Sequence, residues 1–238
     1  MSFTLSLIRK SKSLFIRFHL HKIVEPFSGF LLNLVYISKF SKWASQNKKI
    51  GFNDFYSSKW DYTKRFKLYE YIFNKENLSR QIQYMEFGVA QGKSFKWMIE
   101  KNKNADSRFY GFDTFEGLPE DWGHFKKGAM SSDVPVLSDT RTKFIKGLFQ
   151  DTFPSFLKNT SIEGRKVIMM DADLYSSTLF VLTSLAPFLK SGDIIFFDEF
   201  VVPTHEFLAY NNFIQSYYLE FELIGAANNY YFAAFKVK

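Results

Sequence analysis

Five short apolar runs recur along the second two-thirds of the chain, each followed by a loop and most by a stretch with helical spacing. Runs of this length bounded by turns are typical of buried strands, and strands that alternate with helices indicate a parallel, doubly wound sheet. The predicted strands are Tyr84–Val89, Phe109–Phe112, Phe144–Phe149, Val167–Met170 and Ile194–Phe197.

Three further stretches have apolar residues at helical spacing, and the tail has the pattern of two strands around a turn. The helices are predicted at Tyr62–Phe73, at Ser176–Leu189 and from Pro203 through Tyr217, with Pro203 in the first helical turn. The two tail strands are predicted at Phe221–Ile224 and Tyr230–Val237. The predicted fold is therefore α/β: a mostly parallel seven-stranded sheet with a C-terminal antiparallel hairpin and helices on both faces.

Residues 1–60 differ from the rest of the chain in both pattern and charge. Helical segments broken at Pro26 and Gly29 predict a helical extension ahead of one domain at residues 61–238. Residues 1–50 hold nine Lys/Arg and one acid, a net charge of +8, whereas residues 51–238 hold 22 basic and 23 acidic side chains. Such a segment could contact an anionic membrane surface or grip an anionic substrate, but helices packed on the domain are the favoured interpretation.

Several classes of protein are disfavoured by composition. No nucleic-acid-binding motif accompanies the basic charge, so we expect no nucleic-acid partner. The chain has no cysteine, so a metal would be held by oxygen or histidine ligands. No run of 18 apolar residues is present for a membrane span, and Arg9, Lys10 and Lys12 interrupt the only stretch where a secretory signal could lie. We expect a cytoplasmic protein, with homo-oligomerisation left open.

A glycine-containing turn follows the first predicted strand, in the segment Glu86–Ser94. Gly88 and Gly92 would let the backbone approach a ligand closely, and the start of the next helix offers unpaired N–H groups. The spacing differs from the G-x-G-x-x-G dinucleotide fingerprint. Asp113 ends the following strand, where a carboxylate can accept hydrogen bonds from both hydroxyls of a ribose. The pair of features predicts a site for an adenosyl cofactor.

Two acidic clusters end the fourth and fifth predicted strands. Asp171 and Asp173 form the first, and Asp198 and Glu199 form the second. Both would emerge at the carboxyl edge of the sheet, where like charges repel unless a cation joins them. Carboxylate oxygens favour a hard ion such as Mg²⁺, Mn²⁺ or Ca²⁺. The alternative is that these acids cap the following helices and pair with lysines.

From Tyr84 to about Phe200 the chain resembles the macrocin O-methyltransferase family of class I methyltransferases. The resemblance rests on EFGV at Glu86–Val89, FDTFEGLP at Phe112–Pro119, DADLYSST at Asp171–Thr178 and DEF at Asp198–Phe200. It implies a Rossmann-like class I methyltransferase fold, S-adenosylmethionine as cofactor, and methyl transfer to a hydroxyl of a sugar, glycan or natural product.

The same resemblance implies a divalent metal, Mg²⁺ first among the candidates, held by Asp171, Asp198 and Glu199, with Asp173 as the competing choice for the first ligand. Where the family shows two aspartates in the last segment, this chain has Asp198 followed by Glu199. The residues expected at the cofactor site are Glu86, Phe87, Gly88, Val89, Gly92, Ser94, Asp113, Thr114, Phe115, Gln150, Asp151 and Asp171.

Methyl transfer to a hydroxyl needs alignment of the reactants and a base, and Asp171 is the predicted general base. The long connection between the second and third strands is typical of a lid or binding segment, in which Gly117 and Pro119 would turn over the cofactor. Asp121, Trp122 and His124 are expected to face the acceptor.

Two alternative functions compete with this interpretation. One is a nicotinamide-dependent sugar oxidoreductase, although its usual glycine fingerprint is missing and no Tyr-x-x-x-Lys pair is evident. The other is a non-catalytic membrane-surface protein that retains the fold. Two intact acidic clusters favour an enzyme, because unpaired carboxylates in a cleft cost stability without function.

Overall fold

The computed structural model describes residues 3–238 and is organised around one seven-stranded sheet. The strands are β1 (Gln83–Phe87), β2 (Arg108–Asp113), β3 (Thr142–Lys146), β4 (Lys166–Met170), β5 (Ile194–Phe197), β6 (Phe221–Ala227) and β7 (Phe232–Val237). Their order in the sheet is β3-β2-β1-β4-β5-β7-β6. Strands β1 to β5 pair in parallel, and β7 is antiparallel to both β5 and β6. The predicted fold class is confirmed.

Eight α-helices and two short 3₁₀ segments flank the sheet or precede it within the described residues. The α-helices are α1 (Phe3–Arg17), α2 (His21–Val24), α3 (Ser28–Gln46), α4 (Lys64–Lys75), α5 (Lys93–Lys101), α6 (Phe149–Asn159), α7 (Tyr175–Leu185) and α8 (Glu206–Tyr217). The 3₁₀ segments are Glu25–Phe27 and Ala186–Phe188.

Two apolar cores lie on opposite faces of the sheet. One joins α4 and α5 to the sheet through residues such as Leu68 and Phe95. The other joins α6, α7 and α8 to the opposite face through residues such as Phe153, Val181 and Phe207. The resulting three-layer arrangement leaves the carboxyl ends of the parallel strands as the open edge, where α/β sheets bind their ligands.

Several predicted boundaries are wrong. The third strand ends at Lys146, and Phe149 instead begins α6 and packs into the core, because Gly147 turns the chain at a φ of +138°. Pro203 precedes α8 and lies outside its first turn. Gly225 lies within β6, at an irregularity in the pairing with β7, so the hairpin turn comes later than predicted. Gly29 does not break a helix, since it lies in the first turn of α3.

The N-terminal helices are present, but most of their length does not pack on the domain. The end of α3 docks: Phe40 and Ala44 are buried, and the Phe40 ring meets that of Phe207 with centroids 5.0 Å apart. Between residues 4 and 39 no side chain is buried. The prediction that these helices pack on the domain therefore holds for the end of α3 and is wrong for residues 4–39. No helix in the described part of the chain is long and apolar enough to cross a membrane.

Candidate functional site

A cavity of about 280 Å³ opens at the carboxyl edge of the sheet, between the ends of β1, β2, β4 and β5. Its lining combines backbone from the glycine turn, carboxylates from the strand ends and apolar groups from the connection after β2. The lining residues are Tyr62, Gly88, Ala90, Asp113, Thr114, Gly117, Leu118, Pro119, Met130, Leu148, Phe149, Gln150, Asp171, Ala172, Asp173, Ser177, Asp198 and Glu199.

Gly88 is the position where the turn after β1 admits no side chain. Its φ is +91°, and a Cβ at this residue would lie 1.7 Å from the backbone oxygen of Asp171. Glycine is therefore required both by the left-handed backbone and by the close approach of the β4 end. The close approach brings the first acidic cluster beside the glycine turn.

Asp113 lies at the end of β2 and lines the cavity. Its Oδ2 accepts a hydrogen bond from the Ala90 N–H at 2.8 Å, and its Oδ1 accepts one from the Phe115 N–H at 2.7 Å. These two backbone donors hold the carboxylate in one orientation. Because each carboxylate oxygen can accept further bonds, Asp113 can still accept hydrogen bonds from two vicinal hydroxyls of a bound molecule.

The two predicted acidic clusters meet at this cavity, which Asp171, Asp173, Asp198 and Glu199 all line. The backbone of Asp173 is left-handed, with a φ of +57°, a conformation found in turns and at functional sites. No group among residues 3–238 donates a hydrogen bond to the Asp173 carboxylate. Asp173 is therefore the carboxylate of the clusters that receives no hydrogen bond from the described residues. The other three carboxylates each contact a protein side chain.

Arg65 forms ion pairs with both acidic clusters. This residue of α4 is 4% exposed, and its Nη2 lies 3.3 Å from Asp171 Oδ2 and in contact with Asp198 Oδ1. Its guanidinium carbon also lies 4.3 Å from the centroid of the Tyr62 ring. Arg65 thus bridges the ends of β4 and β5 from one side.

Burial raises the pKa values of all four carboxyl groups. The pKa of Asp171 is raised well above its usual range by burial and then by nearby Asp198, with Arg65 opposing. Burial, with Glu199 next, raises the pKa of Asp173 to about 8. Burial also raises the pKa of Asp198, against the opposing effect of Arg65. Perturbed carboxyl groups in a cleft are typical of a functional site.

Glu199 has one satisfied and one unsatisfied oxygen. The Tyr231 hydroxyl donates to Oε1, whereas Oε2 is buried without a hydrogen-bond partner among the described residues. Burial raises the pKa of Glu199 to about 7, and the bond from Tyr231 opposes the increase. The Glu199 N–H donates to the fully buried Glu206 carboxyl group at 3.0 Å, which fixes the backbone at the end of β5.

The structure brings seven of the residues expected at the cofactor or metal site together at the cavity, and leaves others outside it. Those that line it are Gly88, Asp113, Thr114, Gln150, Asp171, Asp198 and Glu199. Phe87 and Val89 are core residues on opposite faces of the sheet, and Phe115 packs in the same core as Val89.

Glu86 and Ser94 bond to each other below the turn, with the Ser94 hydroxyl donating to Glu86 Oε1 at 2.7 Å. The Tyr84 hydroxyl donates to the other oxygen of Glu86. Glu86 is 0% exposed, so its role here is to support the turn from beneath. Gly92 is the N-cap of α5 and approaches Pro135 instead of the cavity. None of Glu86, Gly92 and Ser94 lines the cavity.

Asp151 does not line the cavity either. It lies in the first turn of α6 and borders a separate shallow depression beside β3. The helix begins at Phe149, so the chain has already turned away from the carboxyl edge at position 151, while Gln150 still lines the cavity.

The connection after β2 covers the cavity with a smaller set of residues than predicted. Gly117, Leu118, Pro119 and Met130 line it, held by a hydrogen bond from the Leu118 N–H to the Ala129 oxygen at 2.9 Å. Of the residues expected to face an acceptor, Asp121 is exposed and pairs with Lys126, the Trp122 ring stacks on Phe125, and His124 is exposed. None of these three lines the cavity.

Tyr62 and Arg65 are site residues that the sequence patterns did not reveal. The spacing around them predicts only a helix covering the sheet. One signal is present: Arg65, Tyr69 and Ile72 follow helical spacing, so Arg65 is a basic residue within a buried stripe. A buried cation of this kind requires a nearby anion.

The family comparison covers the segment that builds most of this cavity. A family model described as a methyltransferase domain matches residues 85–200. Residues 85–200 are thus similar to a methyltransferase domain. The matched segment runs from β1 through β5 and includes the glycine turn, Asp113 and both acidic clusters, whereas α4 with Arg65 lies outside it.

The domain is similar to known O-methyltransferases. The 8-demethyl-8-(2,3-dimethoxy-alpha-L-rhamnosyl)-tetracenomycin-C 4'-O-methyltransferase of Streptomyces olivaceus is 28% identical over 144 residues, which are 50% of this chain and 52% of that protein. The chain thus spans about half the length of the curated relatives it matches.

Solved structures share the fold. The calicheamicin methyltransferase CalS11 aligns with a TM-score of 0.56 and 21% identity, over 74% of this chain and 78% of its own. A cmcI structure with Mg and SAM aligns with a TM-score of 0.53 and 15% identity, over 83% and 84%. The likeness confirms a Rossmann-like methyltransferase fold.

Proposed function

We propose that this protein is an S-adenosylmethionine-dependent O-methyltransferase that acts on a hydroxyl of a sugar, glycan or natural product. The observation that carries the proposal is the position of Asp113, oriented by two backbone N–H groups at the edge of a cavity whose opposite side is acidic. The methyltransferase domain supports the same conclusion, as does the O-methyltransferase relative, whose name gives a rhamnosyl tetracenomycin as its substrate.

Different parts of the cavity would bind the cofactor and the acceptor. Gly88, Asp113 and Gln150 would bind the cofactor, with the Asp113 carboxylate accepting hydrogen bonds from the ribose hydroxyls. The acidic clusters would bind and deprotonate the acceptor hydroxyl. Bound S-adenosylmethionine supplies an electrophilic methyl group, and the cavity residues align the acceptor oxygen with it.

A divalent ion fits the donor chemistry of the acidic clusters. Asp171, Asp198 and Glu199 offer only oxygen ligands, and the buried Glu199 Oε2 lacks any partner in the described residues. A bound ion would polarise the acceptor hydroxyl. In residues 3–238 no three acidic or histidine side chains converge as a ready metal site. Arg65 pairs with Asp171 and Asp198, so an ion bound to these two carboxylates would compete with Arg65 for their oxygens.

Two carboxylates are candidates for the general base. Asp171 is the base predicted from the sequence, but its Oδ2 lies 3.3 Å from the Arg65 guanidinium, so this oxygen is already paired with a cation. Asp173 lines the same cavity without a hydrogen-bond donor, and its pKa is raised to about 8. A base whose pKa lies near the working pH is the more effective. Asp173 therefore competes with Asp171 for the proton of the acceptor.

The two alternative functions are less consistent with the site. A nicotinamide-dependent oxidoreductase usually carries the G-x-G-x-x-G fingerprint, and the turn after β1 lacks that spacing. A non-catalytic protein would have no use for four cavity carboxyl groups with raised pKa values. A cytoplasmic location remains part of the proposal.

Turnover tests the proposal. The purified chain is incubated with S-adenosylmethionine labelled in its methyl group and with a panel of sugars and glycosides, with and without Mg²⁺. Transfer of label to a hydroxyl, followed by loss of transfer in Asp113→Ala, is the expected result. Label that reaches no acceptor, in a chain shown to bind S-adenosylmethionine, would contradict the transferase activity while leaving the cofactor assignment intact.

A further inference from the structure

Residues 4–39, which we call the N-terminal arm, lie outside the core of the domain. None of the side chains in the arm is buried, although its helices carry many large apolar residues. Isolated helices of this length are marginal in water, and most helical stability in proteins comes from packing an apolar face. An arm of this composition therefore needs a surface that covers it.

The α1 helix carries an exposed apolar stripe, and Leu5 and Ile16 are further exposed apolar residues on the side that holds the basic residues. Lys12 and Arg17 fall outside the apolar stripe, and the helix contains no acid. A basic polar face behind a Leu- and Phe-rich face is the pattern of helices that lie in the interface of a membrane. Four residues at helical spacing form the apolar stripe, and they are between 40% and 58% exposed: Leu7, Ile8, Leu14 and Phe15.

The first half of α3 is predominantly apolar on all sides. Phe30, Leu31, Leu32, Leu34 and Val35 are between 46% and 66% exposed, and no charged residue lies among them. A helix that is apolar all round is buried in its working state.

The other half of α3 is fixed to the domain. Phe40 is buried there, and the Trp43 ring lies 5.0 Å from that of Phe200, with the distance measured between centroids. Phe200 directly follows Glu199, which lines the cavity. The arm thus extends from an anchor that is packed next to the site.

Charge decides between the surfaces that could cover the arm. The arm holds six Lys/Arg and one acid, a net charge of +5, so two arms packed on each other would bring like charges together. Residues 51–238, with 22 basic and 23 acidic side chains, offer no compensating negative charge overall. An anionic lipid surface supplies both an apolar layer for the exposed faces and negative head groups for the basic side chains.

We propose that the N-terminal arm docks this protein on the surface of a membrane that contains anionic lipids. α1 lies in the head-group region with Lys12 and Arg17 towards the phosphates, and the apolar half of α3 enters the boundary with the acyl chains. The contact is peripheral, since none of the described helices is long and apolar enough to span a bilayer. This inference does not depend on the proposed methyl transfer.

Vesicle sedimentation of the full chain tests the proposal. One set of vesicles contains phosphatidylcholine alone, and the other contains phosphatidylcholine with phosphatidylglycerol. We expect binding to the second set, weakened by high salt because the head-group attraction is screened. The triple variant Lys10→Glu, Lys12→Glu, Arg17→Glu should lower the partition coefficient by about 100-fold or more, given about 1 kcal/mol for each basic residue near the surface.

The matched control reverses three exposed charges on the domain, Lys103→Glu, Lys143→Glu and Lys158→Glu. It changes the net charge equally and should bind the anionic vesicles as the native chain does. Equal losses in both triple variants would overturn the role of the arm, as would failure to bind either vesicle. A dimer that persists in salt and is broken only by arm variants, measured by light scattering, would assign the arm to self-association instead.

Discussion

The Arg65 guanidinium contacts the Asp198 carboxylate across 133 positions of the chain, and the two side chains are only 5% and 2% exposed. This ion pair ties α4 to the end of β5, and through Asp171 it also reaches the end of β4. An acidic edge of a parallel sheet is thereby neutralised by the protein's own cation. A metal ion at the same edge would compete with this cation for the same oxygens.

The competition predicts how Arg65→Gln changes metal binding. Removing the guanidinium frees Asp171 and Asp198, so Mn²⁺ should bind about 10- to 100-fold more tightly, the gain expected when charged hydrogen bonds worth about 1.5–3 kcal/mol no longer oppose it. Mn²⁺ titration followed by electron paramagnetic resonance measures this without turnover.

Arg65→Lys serves as the control, because it keeps the positive charge and should change Mn²⁺ affinity less. Since loss of one partner of a buried ion pair costs about 3–5 kcal/mol, metal-free Arg65→Gln should also unfold more easily, and added Mn²⁺ should restore part of the loss. Weaker Mn²⁺ binding in Arg65→Gln would show that Arg65 orients the ligands instead of competing with the ion.

The cofactor assignment predicts different results for two aspartates. Asp113→Ala removes the carboxylate at the cavity edge and should weaken S-adenosylmethionine binding by about 10- to 100-fold, the range for hydrogen bonds to a charged group. Asp151→Ala is the matched control, because this side chain lies outside the cavity. Isothermal titration compares the two, and a loss of affinity in Asp151→Ala as large as in Asp113→Ala would contradict the assignment.

The sequence pattern could place Asp113 and the acidic clusters because each follows directly from the end of a strand. It could not separate Asp113 from Asp151, since their distinction depends on α6 beginning at Phe149 and carrying Asp151 away from the edge. The role of Arg65 depends on a contact between α4 and β5, which local spacing does not encode. Glu86 lies outside the cavity lining for a related reason: alternation along β1 directs its side chain beneath the turn, towards Ser94.

The base is tested with Asp171→Asn and Asp173→Asn. Loss of the general base should lower kcat by about 100-fold or more while leaving S-adenosylmethionine affinity nearly unchanged. The comparison between the two variants assigns the base: the structure favours the larger loss of kcat in Asp173→Asn, because Asp171 is paired with Arg65. If either variant lost cofactor affinity together with turnover, that residue would have a binding role instead.

The raised pKa of Glu86 predicts that the stability of the fold depends on pH. Burial raises its pKa from 4.5 to about 7, against the opposing bonds from Ser94 and Tyr84. Between these two values the folded chain retains a proton that the unfolded chain releases, so the free energy of unfolding should fall by up to about 3 kcal/mol as pH rises from about 4.5 to 7. Urea denaturation across this range should show a smaller fall in Glu86→Gln than in the native chain, because the cavity carboxyl groups with raised pKa values still contribute.

The exposed Glu222 gives the control for that experiment, since Glu222→Gln should leave the pH dependence as it is in the native chain. A slope that persists unchanged in Glu86→Gln would show that other groups, such as the cavity carboxyls, dominate this pH range.

Substitution of Gly88 should have a steric effect in addition to the backbone strain that a positive φ causes. The two effects can be measured separately. In Gly88→Ala the new Cβ would meet the Asp171 backbone oxygen, so the variant should lose both stability and cofactor binding. Gly164 has a similar φ of +88°, but among the described residues no atom lies within 4 Å of the place a Cβ would take, so Gly164→Ala carries the strain alone. Thermal unfolding should show a larger decrease in Tm for Gly88→Ala than for Gly164→Ala. Equal decreases would show that backbone strain alone accounts for the loss of stability.

The cofactor itself is identified by isothermal titration of the purified chain with S-adenosylmethionine and, separately, with NAD⁺. We expect micromolar binding of S-adenosylmethionine and no binding of NAD⁺, because Asp113 is positioned to accept hydrogen bonds from ribose hydroxyls and the Gly88–Gly92 turn lacks the dinucleotide glycine spacing. Absence of S-adenosylmethionine binding, with and without Mg²⁺, would contradict the methyltransferase assignment.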